Sequence, residues 1–167
     1  LERTWAFVQR LQDHMPDQLR LSRTTDQREA LAGADFVVTS IAVNRMDLWR
    51  QDYLEPLRLG FNHCYGENGG PGAVFHTLRN LTPMVAIARD MEELCPDAWI
   101  LNFTNPENRI CLALNRHSTI KTVGLCGGVD LSTLGRFSEF LGIPRERMDA
   151  RVGGVNHFNW MLELWDR

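Results

Sequence analysis

Cys126 and His157 are the residue types that hold a borderline divalent metal, a thiolate and an imidazole. Cys126 ends the apolar run Lys-Thr-Val-Gly-Leu-Cys at 121–126, and His157 follows the glycine pair Gly153 and Gly154. Their separation fits no zinc-finger or ribbon pattern, so a structural zinc site gains no support from them. Taken alone, a buried thiol and a hydrogen-bonded core imidazole is the simpler account. Asn105, in Thr-Asn-Pro, offers an uncharged amide at a strand end, although Asn-Pro is also a common turn starter. Glu67 and Asn68 lie in a glycine-rich stretch at 62–72, where a carboxylate either meets a ligand or is solvated. Arg45, Arg50 and Arg79 read equally as ligand-facing cations or as surface charges.

These groups need a scaffold, and hydrophobic periodicity predicts one. Trp5, Val8, Leu11 and Met15 form one stripe of an opening helix, and a short helix is expected over 26–31. The β-branched run at 34–41 reads as a buried parallel strand whose C-terminal end faces a ligand crevice, so Ala42, Val43 and Arg45 fall where a cofactor would lie. Residues 73–94 carry helical spacing through Phe75, Leu78, Leu81, Val85, Ala88, Met91 and Leu94, with Pro83 predicting a break or bend. A strand at 97–104 stops at Asn105-Pro106, and a helix follows to about 116. A third strand at 121–126 turns through Gly127 and Gly128 into a helix over 131–141, and a further strand is expected over 155–164.

Composition narrows the function classes. With 167 residues, 44% apolar and 23% charged, the chain has the make-up of a globular protein and not of a disordered one. A net charge of −3 with no basic block argues against nucleic acid as a partner, and no apolar run suits a bilayer span. Four irregularly spaced cysteines predict reduced thiols, and with no signal-like N-terminus a cytoplasmic location is expected.

The series Gly-Glu-Asn-Gly-Gly-Pro-Gly at 66–72, Asn-Phe-Thr-Asn-Pro at 102–106, Gly-Leu-Cys at 124–126 and Gly-Val-Asn-His at 154–157 resembles the NAD- and manganese-dependent glycosidases of glycoside hydrolase family 4. The resemblance implies an α/β fold with a Rossmann-type parallel sheet of the lactate/malate dehydrogenase kind. It is expected to be incomplete at its N-terminus over 1–150 and to lead into a truncated α+β substrate domain at 151–167. It implies a hydrolysis outside the usual two-carboxylate scheme. NAD⁺ takes hydride from C3 of the sugar, the ketone acidifies the C2 proton, and the aglycone leaves by elimination before water adds and hydride returns. Cys126 and His157 match the family's ligands for Mn²⁺ or another divalent ion, which would act as a Lewis acid on the C2 and C3 oxygens. Asn105 matches an asparagine near sugar and nicotinamide, and Glu67 a carboxylate in contact with sugar or metal-bound water. Arg45 is assigned to the cofactor with Ala42 and Val43, Arg50 and Asn156 to the substrate, and Asn156 also to the support of His157. The form of the 66–72 loop resembles the α-galactosidase and α-galacturonidase branch. The substrate is then a small glycoside, and the full-length protein a homodimer or homotetramer.

Two departures stand out. Gly127 occupies the position after the metal cysteine, where relatives carry His or Asp, the latter as general acid. The Gly-x-Gly cofactor fingerprint and the family's tyrosine base are not in this chain, so the isolated polypeptide is expected to bind NAD poorly and to be inactive. Two other readings follow from the same residues. One is a malate- or lactate-type dehydrogenase, which would use an Asp–His pair and no cysteine ligand; the other is a non-catalytic fragment.

Overall fold

The buried stripe of the longest helix changes character along its length: Gly72, Ala73, His76 and Asn80 give way to Met84, Ala88 and Met91. In a computed structural model of the chain, which describes residues 2–15, 19–63, 65–126, 133–155 and 158–167, that change separates the core from the cleft. The chain divides into two compact units, Leu1–Val123 and Gly124–Arg167.

The first unit opens with α1 (Glu2–Gln12) and α2 (Gln27–Leu31), followed by β1 (Phe36–Thr39), α3 (Arg45–Arg58), α4 (Gly70–Leu94), β2 (Trp99–Asn102), α5 (Glu107–His117) and β3 (Lys121–Gly124). Asp26 caps α2, its carboxylate accepting from the amides of Arg28 and Glu29. The sheet order is β1-β2-β3, with β1 and β2 parallel and Thr39 opposite Asn102. This is the strand–helix–strand alternation expected of a doubly wound α/β fold. Met84, Ala88 and Met91 of α4 pack with Ile100 of β2, Ile110 and Leu114 of α5, and Leu31 into one core.

Several expectations are corrected. The strands are shorter than the apolar runs, because ladder bonding gives way to side-chain bonds: Thr104 Oγ1 accepts from the Ile41 amide at 3.0 Å, and Asn102 Oδ1 from the Thr104 amide at 3.0 Å. Strand β1 is not buried on both faces; Thr39 is buried while Phe36 and Val38 are exposed. Of the break or bend expected at Pro83 the break does not occur: residues 70–94 form one continuous helix. Its first half buries a different face from the one predicted, with Phe75 and Leu78 exposed and His76 and Asn80 inside. The stripe predicted for α1 is only half-buried at Trp5 and Val8, and Met15 lies beyond the helix end. The periodicity does not predict the helix at Arg45–Arg58; Asn44, at φ 42°, makes the left-handed turn that starts it.

The second unit holds α6 (Gly135–Leu141) and an antiparallel pair, β4 (Met148–Val155) with β5 (Phe158–Asp166), interrupted by a bulge between Arg151 and Val152. The strand predicted at 155–164 is thus the second arm of a hairpin whose first arm begins at Met148. Among the described residues no helix is long and apolar enough to cross a membrane.

Candidate active site

At the C-terminal ends of β1 and β2 lies a cleft of about 240 Å³. Ser40, Ile41 and Ala42 come from the end of β1, Phe103 and Asn105 from the end of β2, Arg45 and Trp49 from α3, Glu67 from the glycine-rich loop and His76 from α4. An open α/β sheet leaves a crevice at this point, since successive connections diverge there.

Asn80 holds the cleft's two strand ends in place. Its Oδ1 accepts from the Val43 amide at 3.1 Å, and its Nδ2 donates to the Asn105 carbonyl at 3.0 Å. A buried amide thereby joins α4 to both strand ends, and the oxygen and nitrogen of the Asn80 side chain are both satisfied inside the fold. Below it, Thr39 Oγ1 donates to Asn102 Oδ1 at 3.0 Å, and Asn102 Nδ2 donates to the Thr104 carbonyl at 3.1 Å. The Asn105–Pro106 bond is cis.

The opposite wall is built by α3 and the loop. The Trp49 indole N–H donates to Glu67 Oε2, and Trp49, Tyr53 and His63 stack in sequence with ring centroids 6.2 and 5.1 Å apart. His63 Nε2 pairs with the Tyr53 carbonyl at 2.9 Å, tying the loop back to the helix. The Asn68 side-chain nitrogen is buried with no hydrogen-bond partner among the described residues.

Beneath this wall is an ionic cluster. His76 Nδ1 lies 2.9 Å from Asp52 Oδ2, and the same oxygen accepts from Arg79 Nη2. Side-chain exposure is 5% for Asp52 and 7% for His76. Glycine makes the contact possible: a Cβ on Gly72 would stand 1.9 Å from the Asp52 carbonyl oxygen, and one on Gly66 3.0 Å from the Tyr53 nitrogen. The glycines of the loop therefore serve helix packing as well as turning.

Of the residues singled out from sequence, Ala42, Arg45, Glu67 and Asn105 meet in the cleft, and Val43 supports it through its backbone. Arg50 is exposed on α3 and is not part of the lining. Arg79, weighed as a surface charge, is bound to buried Asp52. Cys126 is exposed and belongs to the second unit. Gly127, Asn156 and His157, together with Cys64, lie outside the described residues. No cluster of three or more metal-ligating side chains occurs among the described residues. Sequence reasoning missed Asp52, His76, Trp49 and Asn80. The signal for two of them was the i, i+4 series His76, Asn80, Met84, Ala88, which the louder Phe75 and Leu78 obscured.

A parallel sheet with a polar cleft at its strand ends defines an α/β protein of the dinucleotide-binding architecture. The model for family 4 glycosyl hydrolases matches residues 1–134, and the chain belongs to that family. It is 42% identical over 146 residues to an α-glucosidase of Erwinia rhapontici, covering 86% of this chain and 32% of that protein. It is 33% identical over 165 residues to an α-galactosidase of Bacillus subtilis, covering 98% and 38%. A 6-phospho-α-glucosidase from gut microorganisms, solved in complex with NAD and Mn²⁺, superposes with a TM-score of 0.75 at 28% identity, covering 86% of this chain and 32% of that one. The chain thus spans about a third of the length of these relatives.

Proposed function

We propose that the full-length protein is a glycosidase that hydrolyses a small α-linked glycoside by transient oxidation at C3, with NAD and a divalent metal as cofactors. The observation that carries this reading is the cleft itself, in which the carboxylate of Glu67, the imidazole of His76 and the amide of Asn105 converge at the strand ends of a family 4 chain. A sugar ring presents hydroxyls on every side, and a small polar cleft with mixed donors and acceptors suits it.

The residues present fit one end of the cofactor. About 240 Å³ is too small for a whole dinucleotide, and Ser40, Ile41, Ala42 and Arg45 offer its nicotinamide end a neutral strand end with one cation beside it. Ala42, Val43, Arg45 and Asn105 are the residues assigned to the nicotinamide side. Bound there, the cofactor supplies a hydride acceptor. Glu67, oriented by Trp49, accepts hydrogen bonds from sugar hydroxyls, and the unpartnered Asn68 amide in the same loop is a donor for another. For the metal, Cys126 contributes an exposed sulfur, with His157 as its proposed partner and Asn156 behind it. Arg50 is retained as a substrate contact only for parts of a glycoside that extend beyond the cleft. Among sugars, α-galactosides and α-galacturonides come first, from the form of the 66–72 loop, with α-glucosides beside them because of the 42% identical relative. A cytoplasmic homodimer or homotetramer is the expected setting.

The test is a screen of aryl α-glycosides with the full-length protein, NAD⁺, Mn²⁺ and a thiol reductant. Aglycone release should need both cofactors. Hydrolysis undiminished by chelation and by removal of NAD⁺ would overturn the reading. So would oxidation of a hydroxy acid that survives Cys126→Ser, since that is dehydrogenase behaviour.

A further inference from the structure

We infer that the buried Asp52–His76 pair is the proton-accepting dyad of the cleft, taking the hydroxyl proton of the substrate carbon that is oxidised. The inference rests on the function proposed above and assigns one of its steps.

Geometry fixes the proton. Asp52 Oδ2 accepts from the Arg79 guanidinium as well as from His76, and a carboxylate bonded to a guanidinium is an acceptor only. The hydrogen between Asp52 and His76 therefore sits on Nδ1, and a neutral imidazole in that state carries its lone pair on Nε2. Nε2 has no hydrogen-bond partner among the described residues, while the ring lines the cleft with Glu67 and Asn105. An acceptor nitrogen held on a rigid helix at the wall of a polar cleft is suited to a hydroxyl group. Burial points the same way. Withdrawing a carboxylate and a guanidinium from water is costly, and an apolar contact between α3 and α4 would join the helices at least as well.

The substrate O–H bond breaks and its proton moves to Nε2. The C–H bond on the same carbon breaks, and its electron pair leaves as hydride to the oxidised nicotinamide dinucleotide. A C=O bond replaces C–O, and the imidazolium formed is opposed by the Asp52 carboxylate already in place. When hydride returns to the carbonyl, Nε2–H gives the proton back. Removal of the C2 proton and departure of the aglycone lie outside this step.

The experiment compares, in the full-length protein with NAD⁺ and Mn²⁺, an aryl glycoside with its 3-oxo derivative, which needs no oxidation before elimination. His76→Gln should slow the glycoside by roughly 100-fold or more and raise its C3-deuterium isotope effect, while slowing elimination from the 3-oxo compound far less. Asp52→Asn should do the same more mildly. Equal slowing on both compounds, or on neither, overturns the inference. If these variants fail to fold, nitrogen-15 NMR of the wild-type imidazoles decides: His76 must show the Nδ1–H tautomer, and an Nε2–H tautomer overturns it. A wild-type protein that releases no aglycone, or releases it without NAD⁺, refutes the proposed function, whereas a wild type that works with an indifferent His76→Gln refutes only the dyad.

Discussion

Adding a single methyl group at Gly72 should uncouple the cleft from the rest of the fold. In Gly72→Ala the new Cβ would lie 1.9 Å from the Asp52 carbonyl oxygen and 2.7 Å from its carbon, where ordinary contact begins at 3.4 Å. Both obstructing atoms are backbone, so no rotamer change relieves them, and α3 must retreat from α4 by about 1.5 Å to restore normal contact. The buried bond from His76 to Asp52, 2.9 Å long, cannot survive a shift of that size in its direction. Overpacking of this kind costs about 3 kcal/mol, the upper end of the usual range because nothing flexible absorbs it. For a cooperative unit of about 150 to 250 residues that is a fall in the Tm of that unit of roughly 6 to 12 °C. Calorimetry or thermal circular dichroism of the full-length protein measures the loss, and aryl glycoside turnover should fall with it. A Gly72→Ala protein with unchanged Tm and unchanged turnover would refute the claim that helix contact at this glycine positions the dyad.

Trp49→Phe keeps an aromatic ring against Tyr53 but deletes the N–H that orients Glu67. With about 1.5 kcal/mol for a hydrogen bond to a charged group, kcat/KM should drop roughly 10-fold at nearly constant Tm; unchanged kinetics would remove Glu67 from substrate contact. Burial, aided by nearby Glu107, pushes the Cys111 thiol up to about 11, so iodoacetamide at pH 8 should label exposed Cys126 well before Cys111, and bound Mn²⁺ should slow the labelling of Cys126. The same shift has a sign in stability. Between about pH 9 and 11 the unfolded chain loses the Cys111 proton while the folded chain keeps it, so this group's contribution falls as pH rises through that window. Cys111→Ala should flatten the alkaline limb of a denaturation series, and an unaltered limb would assign it to other groups.

Much of the scaffold was legible because periodicity and punctuation report locally. The existence of a strand within 34–41, the stop at Asn105-Pro106 and the helix after it needed no tertiary information, and four short motifs in order carried the family. Where reading failed, the failing residue depended on a neighbour distant in sequence. Phe75 and Leu78 are apolar and helically spaced, yet the face that α3 and the strand ends cover carries His76 and Asn80. Arg79 looked like a surface cation because its partner Asp52 lies on another helix. The glycines at 66 and 72 announced close approach without saying what approached.

Cys126, Asn105 and Glu67 were candidates from sequence by residue type and order alone. A residue's type limits the chemistry its side chain can perform, and that is a local property. Which groups share a wall with Asn105 was decided by the packing of α3 against α4, through Gly72, Asn80 and the oxygen that Asp52 shares between His76 and Arg79. Spacing along the chain cannot encode a contact between side chains on two helices, because the register between those helices exists only once the fold has formed.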